Sequence, residues 1–279
     1  MPNVNREIDK THLSIDVAEQ RLFLHRDYIA HCFRWSHIVK YLLTRRQYRG
    51  KHILDIGCGK DLPLPRLMYS TMFVDFKYTG CDMNKLTLHP MLQPAVDNGK
   101  IEIELLGQTD ASVIKDLKFG KADIIISFEC LEHMHPRICR RLLANIYELL
   151  ADDGVVFIST PCFNGSAANN HVSELTYEAL GAVLEDLDFN IDSHYGTFIS
   201  QRDLYTRIKE DEHLTKLCHK LNDYYNSEIF SVIFAPLYPE LARNVIWQLS
   251  KKNKVRKFKY LKDVKTPWTS NKDWMELDA

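Results

Sequence analysis

The chain has 279 residues, 45% of them hydrophobic and 26% charged, with a formal net charge of −1. That length accommodates one sizeable α/β core with attachments or two small domains, and the composition is that of an ordinary globular protein. A charge this close to zero excludes a global electrostatic pull toward nucleic acid or membrane. The seven cysteines are odd in number, form no C-x-x-C pair and fall partly inside apolar runs. Reduced thiols of a cytoplasmic-type compartment account for them better than disulfides do. Residues 1–10 are polar, without an apolar signal core, and no run approaches the roughly 18 continuous apolar residues of a membrane span. A soluble cytoplasmic protein with no membrane partner is expected.

Apolar positions recur with helical spacing over residues 14–43, through Val17, Leu22, Tyr28, Cys32, Trp35, Ile38 and Leu42. This predicts one or two amphipathic helices, an amino-terminal cap over residues 1–50. Within it, His31, Arg34 and Trp35 read as a packed tryptophan flanked by surface charges. From Lys51 onward short apolar runs alternate with helical stretches. Strands are predicted at 52–56, 78–81, 101–106, 122–128, 154–159 and 189–193, and helices most clearly at 136–150 and 176–187. Near-continuous apolar strands separated by helices mean a sheet covered on both faces. The expected fold is therefore α/β: a doubly wound, mostly parallel, seven-stranded Rossmann-like sheet with its core over residues 51–196. Residues 197–241 read as a helical insertion covering the substrate, 242–252 as the last core strand and 253–279 as a basic, solvated tail.

A doubly wound sheet binds its ligand outside the carboxyl ends of the strands, and there the informative residues lie. Gly57 and Gly59 follow directly on a buried strand and precede a helical stretch, so the backbone can turn tightly and approach a ligand without a Cβ in the way. Asp55, just before them, would repel a pyrophosphate and attract a ligand amine. This favours a cofactor that bears an amino acid over a dinucleotide. Asp82 ends the second strand, where a carboxylate accepts hydrogen bonds from ribose hydroxyls.

The run Ile53-Leu-Asp-Ile-Gly-Cys-Gly59 resembles motif I of class I S-adenosylmethionine (SAM)-dependent methyltransferases, and Tyr78-Thr-Gly-Cys-Asp82-Met83 resembles their acidic ribose-binding strand. The segments 123–133, 154–161 and 171–176 are similar to the fourth and fifth strands and to the approach to the sixth. The blocks span roughly residues 50 to 196 in the right order and sit nearest the ubiquinone-type O-methyltransferase branch. The resemblance implies that Asp55, Gly57, Cys58 and Gly59 hold the methionine part of SAM and that Asp82 and Met83 hold the ribose. It places Asp110 and Ala111 near the adenine, and Phe128 and Glu129 at the reactive end. Asp61 stands where the usual motif has a third glycine, so the helix after it is expected to start differently.

Glu129, Glu132 and His133 follow the fourth strand at a spacing that lets side chains converge on one helical face, and His171 follows the fifth. Two carboxylates and two imidazoles suit Mg²⁺, Mn²⁺ or Zn²⁺. The set is similar to the metal-binding Glu, Glu, His and distant His of small-RNA 2′-O-methyltransferases, and to the pattern in ubiquinone-type enzymes. Two readings stay open. A metal bound by Glu129, Glu132, His133 and His171 would lower the pKa of a substrate hydroxyl. Alternatively the carboxylates favour a helix amino end without metal, and His133 or His171 is the general base.

Pro161-Cys162 lacks the surroundings of a nucleophilic cysteine, and the amino-methyltransferase motif Asn/Asp-Pro-Pro-aromatic is absent. Methyl transfer from SAM to an oxygen or nitrogen is the leading expectation. A non-catalytic SAM-fold assembly protein and an NAD-dependent oxidoreductase are the alternatives. The acceptor is open between a small molecule, a nucleotide and a polynucleotide end, and no residue pattern indicates an oligomeric state.

Overall fold

The structure, a computed structural model, describes residues 26–45, 49–70, 75–110, 113–114, 120–163, 165 and 167–251. The expected basic tail, the first part of the helical cap and Ala111 lie outside the described residues. Strands β1 (His52–Ile56), β2 (Lys77–Asp82), β3 (Glu102–Gly107), β4 (Ala122–Phe128), β5 (Leu150–Pro161), β6 (Phe189–Ile199) and β7 (Ala242–Lys251) form one sheet of order β3-β2-β1-β4-β5-β7-β6. The first five are mutually parallel, and β7 runs antiparallel to both β5 and β6. The strand order reverses between β1 and β4, and the crevice at that switch point is where such sheets bind ligands.

Along β4, Ile124 and Ile126 face one side of the sheet and Ile125 the other, as the two-residue period of a strand requires. They belong to separate cores. On one face, Leu54, Ile56, Ile125, Val156 and Trp247 pack beneath α4 (Pro136–Leu149) and α5 (Tyr177–Asp186). On the other, Ile53, Tyr78, Ile124, Phe157 and Ile246 pack beneath α1 (Arg26–Arg45) and α2 (Pro63–Ser70). Both faces are covered, so the central strands read as mostly apolar runs. The helices start where local chemistry satisfies their free N–H groups. The Thr176 side chain accepts from Ala179 N ahead of α5, and His135 accepts from Arg137 N ahead of α4, whose first residue is proline. Between β2 and β3 lies the short α3 (Gln93–Asp97).

The predicted and observed bounds of β1 and β4 coincide, whereas β5 and β6 are longer than expected. β5 starts early because Leu150 pairs in parallel with Ala122 of β4. At their carboxyl ends antiparallel pairing with β7 is the cause: Pro161 pairs with Asn244, and Phe198 and Ile199 pair with Asn244 and Ala242, so β6 continues past residue 196. The segment expected to start the insertion, 197–199, is thus sheet. The helices of the insertion begin at Ser200, whose hydroxyl accepts from Asp203 N. They are α6 (Gln201–Ile208), α7 (Glu212–Asn222) and α8 (Glu228–Ile233), and α8 packs on α1 and β6. Among the described residues, no helix is long and apolar enough to cross a membrane.

Candidate active site

The chain leaves β1 at Ile56 and turns through Gly57 and Gly59 at φ of +76° and +71°, a region that costs an L side chain its Cβ contacts. Gly57 N and Cys58 N both donate to the Cys81 carbonyl, which closes the turn onto the end of β2. Gly59 N donates to Asp82 Oδ2 at 3.0 Å, and Asn84 donates to Oδ1 from its backbone and its side chain, each at 2.7 Å. The Asp82 carboxylate is held at the strand end by the same turn that presents the glycines. A Cβ built on Gly59 would meet nothing within 4 Å, so the turn faces open space there. These residues fit the methionine and ribose parts of SAM.

The remaining residues expected around the cofactor divide. Asp55 is 1% exposed and lies under the turn, with Tyr78 donating to its Oδ2 at 2.8 Å. Burial pushes its pKa up to about 7, with the Tyr78 hydrogen bond opposing and Asp82 adding. Asp55, expected to meet a ligand amine, is buried in this structure at the end of β1 against Tyr78. Cys58 is buried as well, its thiol raised far above the ordinary range by burial and then by Asp55. Met83 is exposed beside Asp82, and Asp110 is exposed after β3. The loop carrying Asp110 is tied to that of Asp82 by Thr109 N donating to the Asp82 carbonyl. At Asp61 the expected departure takes a definite form. Leu62 adopts φ +49° and α2 begins only at Pro63, while the Asp61 carbonyl accepts from Arg66.

Across the crevice, the loop after β4 carries the acidic residues. A Cβ on Gly57 would stand 3.0 Å from Cys130 Sγ, so the glycine turn abuts this loop directly. Glu129 adopts φ +51°, and its Oε1 is within 2.7 Å of Arg34 Nη1, 2.8 Å of Ser159 Oγ and 2.7 Å of Asn244 Nδ2, all donors. Burial pushes the Glu129 carboxyl up, but the Arg34 charge and these hydrogen bonds outweigh it and hold the pKa below its ordinary value. Arg34 is 9% exposed and is no surface charge, contrary to its sequence reading. Its neighbour Trp35 packs on Phe128 with ring centroids 5.1 Å apart, which leaves Phe128 buried beneath it.

Glu132, His133 and His171 each offer an atom within 4.8 Å of the others. Glu129, expected among them, is not part of this group: the turn at positive φ and the Arg34 pair direct it elsewhere. Glu132 and His133 occupy a single turn of 3₁₀ helix at 131–133, and Thr160 Oγ1 donates to Glu132 Oε2 at 3.3 Å. Val172 N and Ser173 N donate to the Glu132 carbonyl, which brings the distant His171 alongside. His133 Nδ1 donates to the Asn170 carbonyl at 3.1 Å, leaving Nε2 3.8 Å from Glu132 Oε1. Sequence reasoning missed Arg34, Tyr78, Ser159, Asn170 and Asn244. Tyr78 and Ser159 lie inside blocks that resemble the family but were given no role, the others carry no motif signal, and a charged residue on a helix reads as solvated unless its partner is known.

The sheet order, the two-glycine turn closed onto Asp82 and the acidic loop across the switch point define a class I SAM-dependent methyltransferase fold. The chain belongs to the methyltransferase-domain family, whose model matches residues 27–206. The ubiquinone biosynthesis O-methyltransferase of Nitrosococcus oceani is similar at 31% identity over 44% of this chain and 48% of that protein. The enzyme of the same description from Coxiella burnetii is 30% identical over 44% and 48%. The chain thus matches about half the length of these curated relatives. Among solved structures, the magnesium protoporphyrin IX methyltransferase of Synechocystis PCC 6803, with bound S-adenosylhomocysteine, is similar with a TM-score of 0.53 at 13% identity, covering 88% of this chain and 92% of that one. An O-methyltransferase from a polyketide synthase multienzyme of Brevibacillus brevis, also with S-adenosylhomocysteine, gives a TM-score of 0.50 at 16% identity, covering 91% and 82%. At those identities the structures speak to the fold.

Proposed function

We propose that this protein transfers the methyl group of SAM to an oxygen or nitrogen acceptor, and that the acceptor enters beside Glu132, His133 and His171. The observation that carries this is the contact of Gly57 with Cys130, because it sets the cofactor turn against the loop that bears the acidic and imidazole groups. SAM lies on the glycine turn with its ribose hydroxyls at Asp82. The methyl leaves the sulfonium by in-line attack, so the chain works mainly by positioning and by excluding water. α1 and the insertion helices cover the acceptor side and select the substrate. O-methylation in the named relatives agrees with a hydroxyl acceptor.

One carboxylate and two imidazoles fit a borderline divalent ion, Mn²⁺ or Zn²⁺, better than they fit the all-oxygen preference of Mg²⁺. Glu132, His133 and His171 would hold it, and it would supply Lewis acidity that lowers the pKa of an acceptor hydroxyl. Without it, His133 or His171 serves as the general base. The free thiols among the described cysteines agree with work in a reducing, cytoplasmic compartment.

Calorimetric titration with SAM tests the cofactor assignment: saturable binding is expected, and its absence would sink the proposal. Transfer of label from methyl-tritiated SAM to separated RNA, DNA and small-molecule fractions then identifies the acceptor class. Binding without transfer to any fraction would point instead to a SAM-fold protein used for assembly.

A further inference from the structure

The segment 168–174 contains a buried acid to which the reading above gives no part. Glu174 is 8% exposed as a residue and 1% in its side chain. Its Oε1 lies within hydrogen-bond distance of His171 Nδ1 and accepts from Ala168 N at 3.4 Å. Its other oxygen, Oε2, is buried without a hydrogen-bond partner. A buried carboxyl group with one bare oxygen is costly to desolvate, and here it stands where it faces an imidazole.

We infer that Glu174 is a positioning residue that fixes the tautomer of His171 and, together with the Asn170 carbonyl, leaves an Nε2 lone pair free on each of the two imidazoles grouped with Glu132. A carboxylate can only accept, so the proton of neutral His171 sits on Nδ1 and the lone pair on Nε2. The Asn170 carbonyl imposes the same choice on His133. One short segment therefore orders both rings. Val172 N and Ser173 N, donating to the Glu132 carbonyl, tie that segment to the turn bearing the third group. The rings stand nearly perpendicular, 82° apart with centroids 5.0 Å apart, as two separately anchored imidazoles do. A fixed tautomer serves a metal ligand and a general base alike. The inference rests on the proposal that the Glu132–His133–His171 group works on the acceptor, but its first test needs neither acceptor nor metal.

The test is the ¹⁵N shift pattern of the His171 ring in the full chain, above the ordinary histidine pKa, alongside Co²⁺ titration followed by its visible absorption. In the wild type His171 is expected as the Nδ1–H form. In Glu174→Ala it should drift to the Nε2–H form that free imidazole side chains prefer, with His133 unchanged, and Co²⁺ affinity should fall roughly 10- to 100-fold. Glu174→Gln, which can still accept through its carbonyl, should keep the tautomer and lose affinity by less. A wild-type His171 protonated on Nε2, or an unaltered tautomer in a folded Glu174→Ala protein, overturns the inference. Should Glu174→Ala fail to fold, the wild-type and Glu174→Gln spectra still decide it. The expected tautomers with no Co²⁺ binding by the wild type would remove the metal reading and leave the positioning of His171 supported.

Discussion

Arg34 in α1 and Glu129 just after β4 form an ion pair of 2.7 Å whose side chains are only 11% and 28% exposed. Through it the amino-terminal helix is bound to the end of a central strand, three residues before the Glu132 of the proposed acceptor site. The pair is completed by Ser159 of β5 and Asn244 of β7, so three other segments converge on one carboxylate oxygen.

Removing one partner of such a pair leaves a buried charge uncompensated. Arg34→Met is expected to destabilise the protein by about 3 kcal/mol. The double variant Arg34→Met, Glu129→Gln should recover a good part of that loss, since no lone charge is left behind. Urea denaturation of the four proteins of this cycle checks it. Equal stability for Arg34→Met and the wild type would mean that the pair contributes nothing.

The two glycines of the turn should respond differently to a methyl group. At Gly59 an alanine meets open space and suffers only from its positive φ, about 1–2 kcal/mol. At Gly57 the same strain is joined by contacts of 3.0 and 3.1 Å with Cys130 Sγ and Cβ. Gly57→Ala is expected to be the less stable variant and to displace the loop of Glu132 and His133, lowering methyl transfer more than SAM binding. Adding Cys130→Ala should restore part of the stability, because it removes Sγ and leaves Cβ. Thermal melts and transfer assays on the three variants measure both effects.

Asp82 is oriented by Gly59 and Asn84 before any ligand arrives. Losing a charged acceptor for ribose hydroxyls costs about 1.5–3 kcal/mol, so Asp82→Ala should weaken SAM binding roughly 10- to 150-fold. Asn84→Ala, which removes one of the orienting donors and touches the ligand assignment only indirectly, should cost less. Calorimetry ranks the two, and a larger effect from Asn84→Ala would contradict the assignment of the ribose to Asp82.

Asp55 gives stability an unusual slope with pH. Its pKa in the folded protein is about 7, against an ordinary value of 3.8, because burial disfavours the charge. Between those values the folded form keeps a proton that the unfolded chain has released, so stability falls as pH rises from about 4 to about 7. The full shift corresponds to a cost on the order of 4 kcal/mol above pH 7. Asp55→Asn keeps an acceptor for the Tyr78 hydroxyl and has no charge to bury, so this component of the slope should vanish. Denaturant midpoints for the two proteins across that range provide the comparison, and identical slopes would refute it.

The fold was legible wherever it depended on neighbours along the chain. β1 and β4 are mostly apolar runs that follow Lys51 and Lys121 and end before Gly57 and Glu129, and their bounds were readable to the residue. The carboxyl-terminal parts of β5 and β6 were not, because their length comes from pairing with β7 across the insertion. The site divides in the same way. The glycine turn and Asp82 announce themselves by residue type and by position after a strand. Arg34 did not, since helical spacing tells which face a residue occupies and nothing about what waits there. Glu129 was grouped with Glu132 and His133 on spacing, but a backbone at φ +51° turns it out of that series.

By itself, then, the sequence determined the alternation of strand and helix, the two-glycine turn and the acid that ends β2, all consequences of local backbone and side-chain preference. Tertiary structure alone decided that Arg34 holds Glu129, that Asp55 is buried rather than presented, and that His171 comes to Glu132 and His133 with Glu174 behind it. Those relations depend on which loops the packed sheet brings to the same edge, and a burial or an ion pair exists only once the distant partner has arrived.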